Sequence, residues 1–219
     1  MKEFYRRHLP HWHPKNAVFF VTFRLKDSLP YTVIESLRDD QKRARIALLK
    51  VAEAGHLDQK LIDEQRHFEK WDDYLDRAET GPRWLSQPEI ADIIKEALRY
   101  RDGKVFDLHT FSIMSNHVHV VFEPLSKPAW QPDPSSNLNH QFDLPKLMQS
   151  LKRHTARQAN ITLGRAGPFW QDESYDRVIR NNEEYIRTVN YVLENPVKAR
   201  LVSRWEDWKW TYCRPAMYE

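Results

Sequence analysis

Hydrophobic and polar positions alternate cleanly in the segment AVFFVTFRL, residues 17–25, where Phe19, Val21, Phe23 and Leu25 oppose Val18, Phe20, Thr22 and Arg24. Period-two alternation with aromatic and β-branched residues predicts a strand. VFDLHTFSIM and HVHVVFE repeat the pattern and are separated by Ser115 and Asn116, which predicts an antiparallel hairpin. Between the first strand and this hairpin the chain is charged and helical. Two solvated helices or one are expected over 37–75, and Ile90, Ile93, Ile94, Ala97 and Leu98 recur at helical spacing after the start signal Ser86-Gln87-Pro88-Glu89. Residues 124–142, rich in Pro, Ser and Asn, read as a surface loop.

Leu144, Leu147, Met148, Leu151 and Thr155 then form the inner stripe of a helix whose other face carries Lys146, Gln149, Arg153 and Arg157. FWQDESYDRVIRN reads as a strand or extended segment, and a helix over 182–195 is expected to stop at Pro196. At 100° per residue its apolar set is Tyr185, Ile186, Val189, Val192 and Leu193, with Glu184, Arg187, Thr188, Tyr191 and Asn195 on the opposite side. Strands interleaved with helices around a central hairpin predict an α+β fold with an antiparallel sheet.

With 219 residues the chain is expected to form one domain, 1–219, in which 30–101 is an enlarged helical connection. Cys213 is the single cysteine, which excludes an internal disulfide and a cysteine-based zinc site. No run approaches the roughly 20 apolar residues of a membrane helix, and the first fifteen lack a signal-peptide core, so a cytoplasmic protein is expected. The net charge of +3 is too small to argue for nucleic acid without a local cluster.

The chemistry is concentrated in SNHVHVVFEP. Residues two apart in a strand share a face at roughly 6.5–7 Å, so His117 and His119 project together while Val118, Val120 and Phe122 take the other side. Two neutral imidazoles so placed can bind one divalent metal; two histidines at a sheet edge are the alternative. A histidine-triad nucleotide hydrolase would require a third histidine where this chain has Val121, which ranks that reading lower.

On the last helix, Tyr191 and Asn195 stand one i, i+4 step apart and point the same way. A phenol with its pKa near 10 is a weak nucleophile, but a neighbouring metal or base activates it toward phosphorus. Taken alone, the pair reads first as an ordinary half-exposed tyrosine and a helix-end asparagine before proline.

In combination, SNHVHVVFEP, the basic helix, FWQDESYDRVIRNNEEYIRTVNYVLENPVKARLV and the closing WEDWKWT resemble the REP-associated tyrosine transposases, domesticated relatives of single-strand transposases with a His-hydrophobic-His motif. The resemblance extends over the first strand with its preceding FYRR and from about Val105 to Thr211. It implies an RRM-like antiparallel sheet packed with helices, the HUH transposase fold, interrupted here by the helical insertion after the first strand. It implies His117, His119 and Asn195 as metal ligands for Mg²⁺ or Mn²⁺ and Tyr191 as the nucleophile. The implied activity is cleavage and rejoining of single-stranded DNA at REP-like hairpins through a 5′-phosphotyrosine, by a monomer associated with the nucleoid. A hairpin-binding protein with little catalysis is the alternative.

Phe4, Tyr5, Arg6 and Arg7 pair rings with cations, as suits unpaired bases and phosphates, a disordered basic tail being the alternative. The resemblance adds that this arm reads a short sequence beside the hairpin. Lys146, Lys152, Arg153 and Arg157 form a second candidate DNA surface, whose alternative is a solvated helix face. Arg177 and Arg180 either contact phosphate or pair with Asp172, Glu173 and Asp176. Trp205, Trp208 and Trp210 are expected to clamp the core.

Overall fold

The computed structural model describes residues 17–36, 39, 72–77, 80–125 and 143–215. The expected DNA contacts Phe4, Tyr5, Arg6 and Arg7, most of the 37–75 helical region and most of the 124–142 loop lie outside the described residues. Five strands are described: β1 (Val18–Arg24), β2 (Phe106–Ile113), β3 (His117–Pro124), β4 (Tyr175–Ile179) and β5 (Thr211–Cys213). They form one antiparallel sheet in the order β4-β1-β3-β2-β5. Helix α1 (Pro88–Arg101) precedes β2, α2 (Leu144–Thr162) links β3 to β4, and α3 (Asn182–Lys198) follows β4. The fold is α+β, as the alternating patterns predict.

Alternation explains the layers. One face of the sheet presents Phe19, Val21, Phe23, Val118, Val120 and Phe122 to Ile90, Ile94, Leu98, Leu147 and Leu151 of α1 and α2, which form the main core. The other face presents Phe20, Val121 and Ile179 to Val192 of α3. Met114 N–H bonds the carbonyl of His117 at 2.9 Å, closing the β2–β3 hairpin at Ser115 and Asn116. Pro88 occupies the first turn of α1, where its missing N–H costs nothing. The indole of Trp208 donates to the carbonyl of Ile113 and that of Trp210 to Asp92, so these two tryptophans do clamp the sheet to α1.

Two expectations about α3 need correction. The helix does not stop at Pro196 but continues to Lys198, because a proline there forfeits only one intrahelical bond and the last turn is closed by Ala199 N–H to Asn195 O, 2.9 Å. Its buried face is also rotated from the apolar stripe: Ile186 is 51% exposed, whereas Thr188 and Asn195 are buried. Thr188 and Asn195 of the polar side therefore pack inward beside Val189, Val192 and Leu193.

Candidate active site

β3 positions the histidine pair at the centre of the sheet. His119 pairs with Thr22 on β1 and Ser112 on β2, and His117 with Arg24, so both imidazoles emerge on the α3 side. Both are fully buried. Their Nε2 atoms are 3.0 Å apart, and Asp72 Oδ1 lies 3.1 Å from that of His119 and 3.7 Å from that of His117. Asp76 Oδ1 is 3.8 Å from His117 Nε2. The carboxylates come from the helical segment 72–77, which places them on one side of a helix by their four-residue spacing.

The remaining nitrogens fix the tautomers. Asn116, wholly buried, donates through Nδ2 to the carbonyl of Leu75 and turns Oδ1 to His117 Nδ1 at 2.7 Å. That oxygen only accepts, so His117 carries its proton on Nδ1 and directs a lone pair from Nε2 into the cluster. His119 Nδ1 sits 2.7 Å from Thr22 Oγ1, and donation to that hydroxyl gives the same orientation of charge. Burial, with His119 beside it and Asp72 opposing, pushes His117 down to about 3, so it is neutral near pH 7. Burial raises the Asp72 carboxyl, but His119, His117 and the Asn195 amide outweigh it and hold the group below its ordinary value. Asp76 is pushed up to about 8, by burial first and then by Asp72 and Asp73, against Lys198.

α3 supplies the rest. Tyr191 donates its hydroxyl hydrogen to Asp72 Oδ2, and Asn195 Nδ2 donates to the same oxygen at 3.0 Å. Phe20 stacks on His119 with 5.7 Å between centroids and meets the Tyr191 ring edge-on at 6.2 Å. The Lys198 ammonium lies 4.3 Å from the centroid of the Tyr191 ring.

This donor set fits a divalent cation. Asp72, His117 and His119 offer three ligand atoms within 4.8 Å of one another, one carboxylate oxygen and two imidazole nitrogens. Asn195 Oδ1 is buried without a hydrogen-bond partner among the described residues, a condition that calls for a cation or water. Sequence reasoning had named His117, His119, Asn195 and Tyr191, and the fold brings those four together. It had missed Asp72, Asp76, Asn116 and Thr22. The only signal for the carboxylates was the spacing of Asp72 and Asp76 within WDDYLDRAE.

The candidate DNA residues of α2 lie elsewhere. Arg153 and Arg157, with Arg101, Lys146 and His154, line a cleft of about 420 Å³ on the outer side of α2, across the sheet from the histidines. Lys146 pairs with Asp143 at 3.2 Å. Lys152 donates to the carbonyls of Gln171, Asp172 and Glu173, pinning the turn before β4. Arg177 pairs with Glu184 at 3.1 Å, and not with Asp172, Glu173 or Asp176, one of the two alternatives open for it, and donates to Thr188 on the α3 side. The side chain of Arg180 is exposed.

No protein-family model matches the chain, and no curated protein matches it. Among solved structures, a REP-associated tyrosine transposase bound to a REP hairpin is similar, with 18% identity, coverage of 96% of this chain and 82% of that one, and a TM-score of 0.47. That distance is too great to transfer a residue's role. No described helix is long and apolar enough to cross a membrane.

Proposed function

We propose that this protein is a divalent-metal-dependent endonuclease and strand transferase for hairpin-bearing single-stranded DNA, with Tyr191 as nucleophile. The observation that carries the reading is the convergence of a tyrosine hydroxyl, a carboxylate, an amide and two imidazoles in one buried pocket. Apolar cores do not assemble such groups without a task, since each carries a desolvation cost. The motif order noted in the sequence, from the histidine pair to Tyr191 and Asn195, supports the same reaction class.

His117, His119 and Asp72 through Oδ1 would hold Mg²⁺ or Mn²⁺, with Asn195 Oδ1 as a further oxygen donor. When bound, the ion supplies charge neutralisation at the non-bridging oxygens of a phosphodiester. The chain's own groups do the rest. Asn116 and Thr22 keep the imidazoles oriented, and Phe20 walls the nucleophile against the sheet. Tyr191 Oη attacks phosphorus, the bond to the 3′-oxygen breaks, and the products are a 5′-phosphotyrosine and a 3′-hydroxyl. The new diester keeps the energy of the old one, so reversal rejoins strands without ATP. Phe4, Tyr5, Arg6 and Arg7 together with Lys146, Lys152, Arg153, Arg157, Arg177 and Arg180 are proposed to contact the DNA, and the working form is a monomer in the cytoplasm, at the nucleoid.

The test mixes hairpin-bearing single-stranded oligonucleotides with wild-type or Tyr191→Phe protein and Mn²⁺, followed by a denaturing gel. A metal-dependent covalent adduct present only with Tyr191 intact is expected. An equal adduct from Tyr191→Phe removes Tyr191 from the reaction, and binding without any adduct makes the protein a recognition module.

A further inference from the structure

We infer that Asp72 is itself a catalytic residue: its Oδ2 takes the Tyr191 hydroxyl hydrogen as the phenol oxygen attacks, so the segment inserted between β1 and α1 completes the reaction centre. The inference rests on the reading of Tyr191 as nucleophile given above. The geometry argues for it in three steps.

First, Asp72 is the acceptor of the Tyr191 hydroxyl hydrogen, and the contact already exists without substrate. Second, the other groups described around the hydroxyl are poorly placed to accept it. His119 turns Nδ1 to Thr22 and Nε2 to His117 and Asp72, Asn195 presents its amide hydrogens, and Lys198 over the ring is a cation. Third, the carboxylate is immobilised. It is 2% exposed, Asn195 Nδ2 bonds the same oxygen, and its other oxygen faces His119, so it bridges the nucleophile to the imidazoles through three separate elements. A carboxylate serving only to fasten 72–77 could be satisfied by Asn195 and backbone groups, without being placed on the phenol oxygen.

The step balances. The Oη–H bond breaks with its proton passing to Asp72 Oδ2, the Oη–P bond forms, and the P–O3′ bond breaks. The departing electron pair stays on O3′, which takes up a proton, and Asp72 is returned to its anionic form on proton loss to solvent or to that oxygen.

The test separates Asp72 from the DNA reaction by using a phosphorus electrophile that needs neither DNA nor metal. Wild-type protein and Asp72→Asn are treated with diisopropyl fluorophosphate in EDTA, and phosphorylation of Tyr191, with fluoride leaving, is read by peptide mass spectrometry. The exposed Tyr31 and Tyr100 serve as internal controls. We expect Tyr191 labelling to fall about 100-fold or more in Asp72→Asn, within the usual range for losing a general base, with the two controls unchanged. Equal labelling overturns the inference, as does a wild-type Tyr191 that is no more reactive than the controls. A wild-type protein that forms no DNA adduct but shows Asp72-dependent labelling rejects the DNA reading alone. Should Asp72→Asn lose its circular dichroism signature, Asp72→Ala with added formate replaces it: recovery of labelling by formate supports the role, and no recovery overturns it.

Discussion

Asn116→Ala tests whether the histidine pair is set up by its neighbours. The side chain is wholly buried and makes two bonds, accepting from His117 Nδ1 at 2.7 Å and donating to Leu75 O at 3.0 Å. Truncation leaves a ring N–H and a carbonyl without partners, each costing about 1–3 kcal/mol when buried. Partial relaxation puts the expected loss near 3 kcal/mol. For a urea m-value of about 2 kcal/mol/M, this moves the unfolding midpoint down by about 1.5 M. The same change frees the His117 ring to rotate or switch tautomer, and losing such an orienting bond typically weakens metal affinity by about 10–100-fold. Urea melts of the metal-free protein and Mn²⁺ titration calorimetry measure the two effects separately. A contrast sharpens the result: Asn116→Asp keeps an acceptor for His117 but loses the donor to Leu75, so it should lose stability while retaining affinity. A midpoint shift below about 0.3 M with unchanged Mn²⁺ binding in Asn116→Ala would refute the claim that this amide orients the site. Lost stability with unchanged affinity would reduce Asn116 to an anchor for the segment 72–77.

Gly81 has φ +80°, and a Cβ there would stand 2.2 Å from the carbonyl oxygen of Asp27 and 2.9 Å from the Cα of Ser28. Gly81→Ala should therefore destabilise the protein by more than about 2 kcal/mol, combining left-handed strain with a backbone clash; a thermal midpoint within 2 °C of wild type would contradict this. His109, buried where the β2–β3 register shifts, is pushed down to about 4 by burial and then by Arg214, against Asp107 and Asp102. Its unfolded value is near 6.5, so the unfolded chain binds more protons between pH 6.5 and 4. Stability from this group is complete above pH 6.5 and falls as pH drops toward 4, by about 2 kcal/mol once residual solvent screening is discounted. His109→Gln should shrink the wild-type loss of stability between pH 7 and 4 by that amount in urea melts at each pH; an identical pH slope would show that His109 does not carry it.

What was legible in the sequence followed periodicity. β1 and β3 alternate, and one face of each meets a continuous apolar core, so a one-residue slip would turn Phe19, Val21, Val118, Val120 and Phe122 together out of that core and onto the histidine side. The stripe of α2 was readable for the same reason, since every expected inner residue from Leu144 to Thr155 is buried. α3 shows where the method fails. Its apolar positions suggested a face containing Ile186, yet the buried arc includes Thr188 and Asn195, because the surface it meets is the polar floor formed by the histidines and Asp72. Asp72 lies 119 positions from Tyr191, in a charged helical stretch whose pattern matches solvent exposure as well as burial. Nothing local can place such a residue; only the closed fold can. A carboxylate, an asparagine and two imidazoles buried beside one tyrosine contradict the apolar patterning of the opposite, main-core face of this sheet. Local rules are broken together at this place, and it is on that break that the proposed chemistry rests.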